Sequence, residues 1–187
     1  MNRSRPLPSL QPDIRLFGSI GDAMLSEFFR QQAEAASDKP VVFEISTSGG
    51  DADIARRIAQ ELRLWQRRQA REVFFLGKTF VFSGGITIMA AVPPTHRFLT
   101  ADCELLIHER KLTMDIHLDG ALRGCRTALN DVLASIESGQ RLEREGFEQL
   151  VAGTPLSVDD IERRVLEKDW YLGAAEAKAI GLVADVI

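Results

Sequence analysis

The sequence predicts an α/β protein with a mainly parallel sheet built from repeated strand-helix units, and three observations carry that prediction. Apolar runs rich in β-branched and aromatic residues, such as Val41-Val42-Phe43-Glu44-Ile45-Ser46 and Val73-Phe74-Phe75-Leu76, alternate with segments whose apolar residues recur at helical spacing. Two strand-to-helix handovers carry glycine pairs, Gly49-Gly50 and Gly84-Gly85, which present backbone N–H groups with no side chain in the way. The length of 187 residues is that of about one domain, enough to bury roughly 70% of the unfolded surface.

Residues 1–12 carry three prolines and no periodicity, so a flexible N-terminal arm is expected there, followed by one domain over 13–187. A short strand, Ile14 to Phe17, stops at Gly18. Gly21-Asp22 opens a helix with Met24, Leu25, Phe28, Phe29 and Ala33 on one face, ending before Asp38-Lys39-Pro40. The strand Val41 to Ser46 and the turn Thr47 to Asp51 lead into a second helix, buried through Ile54, Ile58, Leu62 and Trp65. Val73 to Leu76 then reads as a strand, the segment up to Ser83 as a loop, and Ile86 to Val92 as a helix stopped by Pro93-Pro94.

Arg97 to Thr100 and Glu104 to Ile107 read as two further strands, and residues 111–118 as a weakly alternating extended segment. Two helices follow, one carrying Leu122, Cys125, Leu129, Leu133 and Ile136, the other Leu142, Phe147, Leu150 and Val151. Because they interrupt the strand-helix alternation, they are expected to form a protruding helical arm over about 120–152. Ser157 is placed to cap a helix with Ile161 and Val165 inward. Asp169 to Leu172 reads as a strand, Ala174 to Ile180 as a helix ended by Gly181, and Leu182 to Ile187 as a closing strand.

Composition narrows the function classes. The net charge of -4, with basic and acidic residues intermixed, shows no basic stripe of the kind that binds a phosphate backbone, so no nucleic-acid partner is expected. Cys103 and Cys125 stand alone, without a second Cys or a His at zinc-ligand spacing; no disulfide framework or metal is expected. The N-terminus has no apolar stretch behind its charges, and no window approaches the length of a membrane span. A soluble, cytoplasmic protein is expected.

Ser83 lies between an apolar strand and an apolar helix. Its hydroxyl is placed either to cap the helix or to act as a nucleophile, and its neighbours do not choose between the two. A nucleophilic serine needs a neutral imidazole, an acid to orient it, and N–H donors for the oxyanion. Of the three histidines, His96 falls in a turn after Pro93-Pro94 and His117 in an exposed segment, while His108 ends an apolar strand, where an α/β sheet exposes its site. A structural role for His108 stays open on position alone. Composition does not select the acid from 27 carboxylates.

Four segments together carry a resemblance: Ser46-Thr47-Ser48-Gly49-Gly50; Phe82-Ser83-Gly84-Gly85; Leu105-Leu106-Ile107-His108; and Asp169-Trp170-Tyr171-Leu172-Gly173-Ala174-Ala175-Glu176-Ala177 with Gly181-Leu182-Val183-Ala184-Asp185. In this order, and with His108 following Ser83 by 25 positions, the chain from about residue 14 to 187 resembles the proteolytic subunit of Clp-type proteases. The resemblance implies the ClpP/crotonase-like fold and a serine peptidase acting on peptides or unfolded proteins within a self-compartmentalising homo-oligomer of rings, with no cofactor. It implies Ser83 as nucleophile, His108 as base, Asp169 as orienting acid, and the Gly49 and Gly84 N–H groups as oxyanion donors. Gly50, Phe82 and Glu109 would contact substrate.

The chain departs from the family pattern at several points. Val81 and Phe82 are bulky where small residues precede the family's serine, and Glu109-Arg110-Lys111 replaces a proline- and glycine-rich substrate-pairing strand. The interval from His108 to Asp169 is longer than the family's, and Trp170 replaces a basic residue that helps to couple rings. The short N-terminal arm argues against docking to an ATP-driven unfoldase. Two alternatives stand beside this reading: a crotonase-like acyl-CoA hydratase or hydrolase, which lacks a convincing pair of catalytic carboxylates here, and a non-catalytic ring subunit that has kept the fold.

Overall fold

Among residues 11–35, 39–68 and 70–187, which the computed structural model describes, strands and helices follow one another in the order that the periodicity predicts. The proline-rich part of the expected N-terminal arm lies outside the described residues. The elements are β1 (Ile14–Phe17), α1 (Asp22–Glu34), β2 (Val41–Thr47), α2 (Ala52–Arg68), β3 (Val73–Phe82), α3 (Gly84–Met89), a 3-10 turn at Pro94–His96, β4 (Arg97–Leu99) and β5 (Glu104–Ile107). Then come α4 (Leu122–Val151), α5 (Val158–Val165), β6 (Trp170–Gly173), α6 (Ala174–Ala179) and β7 (Asp185–Val186). The sheet runs β1-β2-β3-β4-β7, with β5 also paired to β3 and β6 to β5. All pairs are parallel except β5 with β6.

Every helix buries side chains in one core against the sheet. The face of α2 formed by Ala55, Ile58, Ala59, Leu62 and Trp65 meets Phe43 and Phe75 of the central strands in this core, while Phe28 of α1 packs edge-on to Phe43. Each such fully buried large side chain contributes about 1.5–3 kcal/mol relative to exposure. Alternate residues on the opposite sheet face, Val42, Phe74, Leu76 and Phe98, form a smaller cluster with Ala184. Burial on both faces is why β2 reads as an almost unbroken apolar run. Its one acid, Glu44, is buried between Arg15 and Lys78, at 3.0 and 2.7 Å.

β3 departs from the expectation of a strand ending at Leu76 and a loop up to Ser83. It continues to Phe82 across an irregularity: Ile45 and Thr47 of β2, two positions apart, pair with Gly77 and Val81 of β3, four apart. Thr79 takes a positive φ of 58° at this bulge, and the Ser46 hydroxyl donates to the Lys78 carbonyl at 2.6 Å. Before the bulge β3 pairs with β4; after it, Phe80, Val81 and Phe82 pair with Glu104, Leu105 and Leu106 of β5. Pairing with β5 therefore sustains as strand a Gly-Lys-Thr segment whose local signals are those of a turn.

Further differences concern the C-terminal half. The two helices expected after Gly120 are one helix of 30 residues, α4, about 45 Å long. Only Phe147 and Leu150, at its end, are buried. Residues 111–118 are exposed and form no strand, and the closing strand shortens to Asp185–Val186. Ser157 does cap α5, in a reciprocal capping box with Asp160. Cys103 is buried in the core, where burial pushes its thiol up to about 12, and Cys125 sits on α4. No described helix is long and apolar enough to cross a membrane.

Arg97 opens β4 inside the core at 1% exposure. Its guanidinium donates to the carbonyls of Val92 at 2.7 Å, Leu150 at 3.0 Å and Leu182 at 3.2 Å. It thus ties the segment after α3, the last turn of α4 and the approach to β7 to one strand. No carboxylate among the described residues pairs with it, and burial pushes its pKa down. Arg97→Ala leaves three carbonyls without their donor and is expected to destabilise the protein by about 3 kcal/mol or more, measured by urea denaturation, since each unsatisfied buried group costs about 1–3 kcal/mol.

Candidate active site

The end of β3 delivers Ser83 into a backbone conformation that residues with a Cβ rarely adopt, φ 55° and ψ −113°, immediately before α3. Its N–H donates to the Leu106 carbonyl at 2.9 Å and its carbonyl accepts from Ile86 N–H at 2.9 Å, so the turn is fixed from both sides. The side chain makes no capping bond. Of the two roles the sequence left open, the cap is therefore not the one it performs. Such a conformation costs on the order of 1–3 kcal/mol and persists only where the surroundings enforce it. Here it belongs to a sharp turn from β3 into α3.

Glycines of both pairs allow the close packing around it. A Cβ on Gly85 would lie 2.6 Å from Thr47 Cγ2, so α3 packs closer to β2 than any side chain permits. Gly49 has φ +92°, and a Cβ there would stand 2.7 Å from Ser83 Cβ and 3.2 Å from its Oγ. The Gly49 backbone thus faces the serine side chain directly. Its N–H donates to Thr47 Oγ1 at 3.1 Å, and its carbonyl accepts from Ile20 N–H at 2.8 Å. Gly84 begins α3, where the first N–H groups have no acceptor within the helix.

β5 supplies the histidine. Leu106 is opposite Phe82, so the next residues of the two strands, Ser83 and the pair Ile107-His108, emerge side by side. Ser83 and His108 line one cavity of about 120 Å³, closed by α2 and α4. His108 Nδ1 lies 2.5 Å from the Glu109 carbonyl oxygen. A carbonyl only accepts, so in this contact Nδ1 is the donor.

Asp169 precedes β6, whose Trp170 pairs with Ile107, so its backbone comes next across from His108. Its carboxylate is turned to Lys111, 3.1 Å away, and makes no hydrogen bond to His108. Ser83, His108, Gly49 and Gly84 are therefore brought together, while the Asp169 carboxylate stands apart in this conformation. The residues expected to contact substrate lie outside the cavity lining. Phe82 packs between Phe80, tilted against it, and Tyr171, edge-on to it, Gly50 is pressed against the Ile20 backbone, and the Glu109 carboxylate accepts from Glu167 N–H at 2.9 Å.

Other residues at the cavity were not singled out from the sequence: Arg56 and Arg63 from α2, Glu143 and Gln149 from α4. The spacing of Arg56, Arg63 and Arg67 places them along one side of α2, a basic stripe that the overall acidic composition concealed. No group of His, Cys, Asp or Glu among the described residues is arranged to hold a metal ion.

Residues 11–187 match the family model described as Clp protease. The chain belongs to the Clp protease family. Two relatives, each an ATP-dependent Clp protease proteolytic subunit 3, are similar along 93% of this chain and 82% of their own: that of Rhizobium meliloti (strain 1021) at 26% identity and that of Rhizobium johnstonii at 24%. A point mutant of ClpP1 from Listeria monocytogenes has the same fold, with a TM-score of 0.75 over 93% of this chain and 90% of that one at 19% identity. Clp protease membership agrees with the mainly parallel sheet and supports a serine protease.

Glu143 reports on the cavity's electrostatics. Burial raises its carboxyl pKa, opposed by the hydrogen bond it accepts from Arg110 N–H; Glu109 and Glu162 raise it further and His108 lowers it. A carboxyl raised in the fold binds its proton more tightly there than in the unfolded chain, so stability is lost as pH rises through the folded-state value. Glu143→Gln keeps an acceptor and removes the charge. Its melting temperature is expected to exceed the wild type's at pH 8, with the gap narrowing at pH 4, as read by scanning calorimetry.

Proposed function

We propose that this member of the Clp protease family is a serine endopeptidase: one peptidase domain, with α4 as its arm, that hydrolyses peptides or unfolded proteins inside a homo-oligomer. The observation that carries the reading is the strained, uncapped Ser83, set against the Gly49 backbone and sharing a cavity with His108. A serine held off its helix cap at such a cost in conformational energy has a purpose in chemistry that it lacks in structure.

In this reading Ser83 Oγ attacks the peptide carbonyl carbon and His108 Nε2 takes its proton. The N–H groups of Gly84 and Gly49 receive the oxyanion; that of Gly49 exchanges the neutral Thr47 hydroxyl for a charged acceptor, a stronger hydrogen bond. The tetrahedral intermediate expels the amine with the proton from His108, and water then releases the acyl group by the same route. Because the base must be neutral, activity falls on acidification. Asp169 is the proposed orienting acid: to reach His108 it leaves its bridge to Lys111, a pair with the lysine side chain 68% exposed and of the kind worth about 0–1 kcal/mol, and replaces the Glu109 carbonyl at Nδ1.

Assembly is supported by apolar residues that a lone chain leaves in water. Leu112, Met114, Ile116 and Leu118 are exposed, as are Leu122, Leu129, Leu133 and Ile136 along α4. Contiguous exposed apolar surface marks a contact site, and a ring-forming partner copy is the occupant proposed here. Enclosure also restricts an otherwise open peptidase site to chains that can enter.

A fluorophosphonate probe is expected to label the wild type on Ser83 and to leave Ser83→Ala and His108→Ala unlabelled. A well-folded oligomer that resists the probe would instead be a non-catalytic ring subunit. Asp169→Asn is expected to lower kcat by roughly 10³–10⁴, whereas Lys111→Ala does not lower it, as followed with a fluorogenic peptide.

A further inference from the structure

The cavity at Ser83 has an uncompensated positive wall. Arg63 points into it from α2, its guanidinium donating to the neutral amide Oε1 of Gln149 at 2.8 Å. Among the described residues no carboxylate forms an ion pair with it. Burial, then the positive charges of Arg67 and Arg56, push its pKa down. Arg56 lines the same cavity, and its nearest carboxylate, Asp53, is 4.0 Å away and bound more closely by Arg110, at 3.0 Å. A second groove, lined by Asp53, Arg56, Arg63 and Arg67 and by Arg57, which pairs with Glu61 at 2.6 Å, continues from this wall along α2.

The acids at the cavity do not cancel this charge. Glu143 is occupied by the hydrogen bond it accepts from Arg110 N–H and makes no ion pair with Arg56 or Arg63. Glu145 is exposed on α4 and makes no ion pair among the described residues. Ile86, Ile107, Leu142, Phe147 and Leu150 give the cavity an apolar side. A volume of about 120 Å³ is slightly below the ~150 Å³ that accommodates a benzene ring, the scale of one amino-acid side chain. An apolar stem ending in a carboxylate fits both walls: the methylenes meet the apolar side, and the carboxylate gains charge-assisted hydrogen bonds while relieving the repulsion among the arginines.

We infer that this cavity is a specificity pocket for an acidic side chain, a Glu or Asp next to the scissile bond, whose carboxylate is gripped by Arg63 and Arg56. The inference rests on the serine-peptidase reading for the position of that bond. It makes the two arginines specificity-determining residues and acidic peptide segments the favoured substrates.

Binding and cleavage are measured separately. The full-length Ser83→Ala protein is titrated calorimetrically with acetyl-Ala-Ala-Glu-amide and with its Gln counterpart. The Glu peptide is expected to bind about tenfold or more tightly, as a charge-assisted pair of about 1.5–3 kcal/mol allows. Arg63→Gln in that background, and separately the more exposed Arg56→Gln, should bring the ratio towards one. The wild type is then given fluorogenic substrates differing only in Glu, Gln or Leu before the reporter, and is expected to favour Glu. Cleavage without acidic preference overturns the inference and leaves the peptidase reading standing. Arginine-dependent binding of the Glu peptide, with no cleavage and no fluorophosphonate labelling, upholds the acidic pocket and overturns the peptidase reading. Equal binding of the two peptides, with a single-stranded oligonucleotide bound at the arginines instead, overturns the pocket.

Discussion

β3 must serve two neighbours on the same side, and the site depends on how it does so. Up to Gly77 it pairs with β4; beyond Thr79 it pairs with β5. A regular strand could not change partners without a break. The extra residues at Lys78 and Thr79 provide it, with the Ser46 hydroxyl satisfying the carbonyl that the bulge leaves unpaired. After the bulge, Phe82 and Leu106 are in register, and the two strands end together with Ser83 on one and His108 on the other. The chemistry of the candidate site is thus set by a hydrogen-bond register several residues upstream.

The same economy governs the glycines. Gly85 lets α3 approach Thr47, and Gly49 lets a loop backbone approach Ser83. Each removes a Cβ from a place where two elements would otherwise be held apart, and together they hold the serine in a conformation it would not choose. Close packing and local strain are one feature seen from two sides. The strain is tolerated because the large core of α1, α2, α3 and the central strands is complete without it.

Much of this was legible in the sequence. The apolar runs of β2, the inward stripe of α2 and the Ser157 cap follow from side-chain chemistry alone, and the Leu-Leu-Ile-His segment pointed to the right strand end. The failures have physical causes. Gly77-Lys78-Thr79 has the composition of a turn, and only pairing with β5 makes it strand. The stretch between the two expected helices, from Ile136 to Leu142, includes Gly139; yet a glycine inside an exposed helix costs only about 1 kcal/mol, and the helix continues through it. Arg56 and Arg63 lie on the side of α2 that reads as solvent, and no local signal shows that α4 folds over it. The orientation of the Asp169 carboxylate is likewise set by Lys111, far away in sequence, and lies beyond what spacing can convey.

Arg97 gives α4 a fixed root: the helix enters the core at Phe147 and Leu150, and the Leu150 carbonyl is held by the same guanidinium that holds the segments after α3 and before β7. Little beyond that root bears on the core. Turns can accordingly be inserted into or removed from the outer part of α4 without changing where Ser83 and His108 stand. The length of this helix is a quantity that evolution can adjust freely, while Ser83 and His108 stay in place.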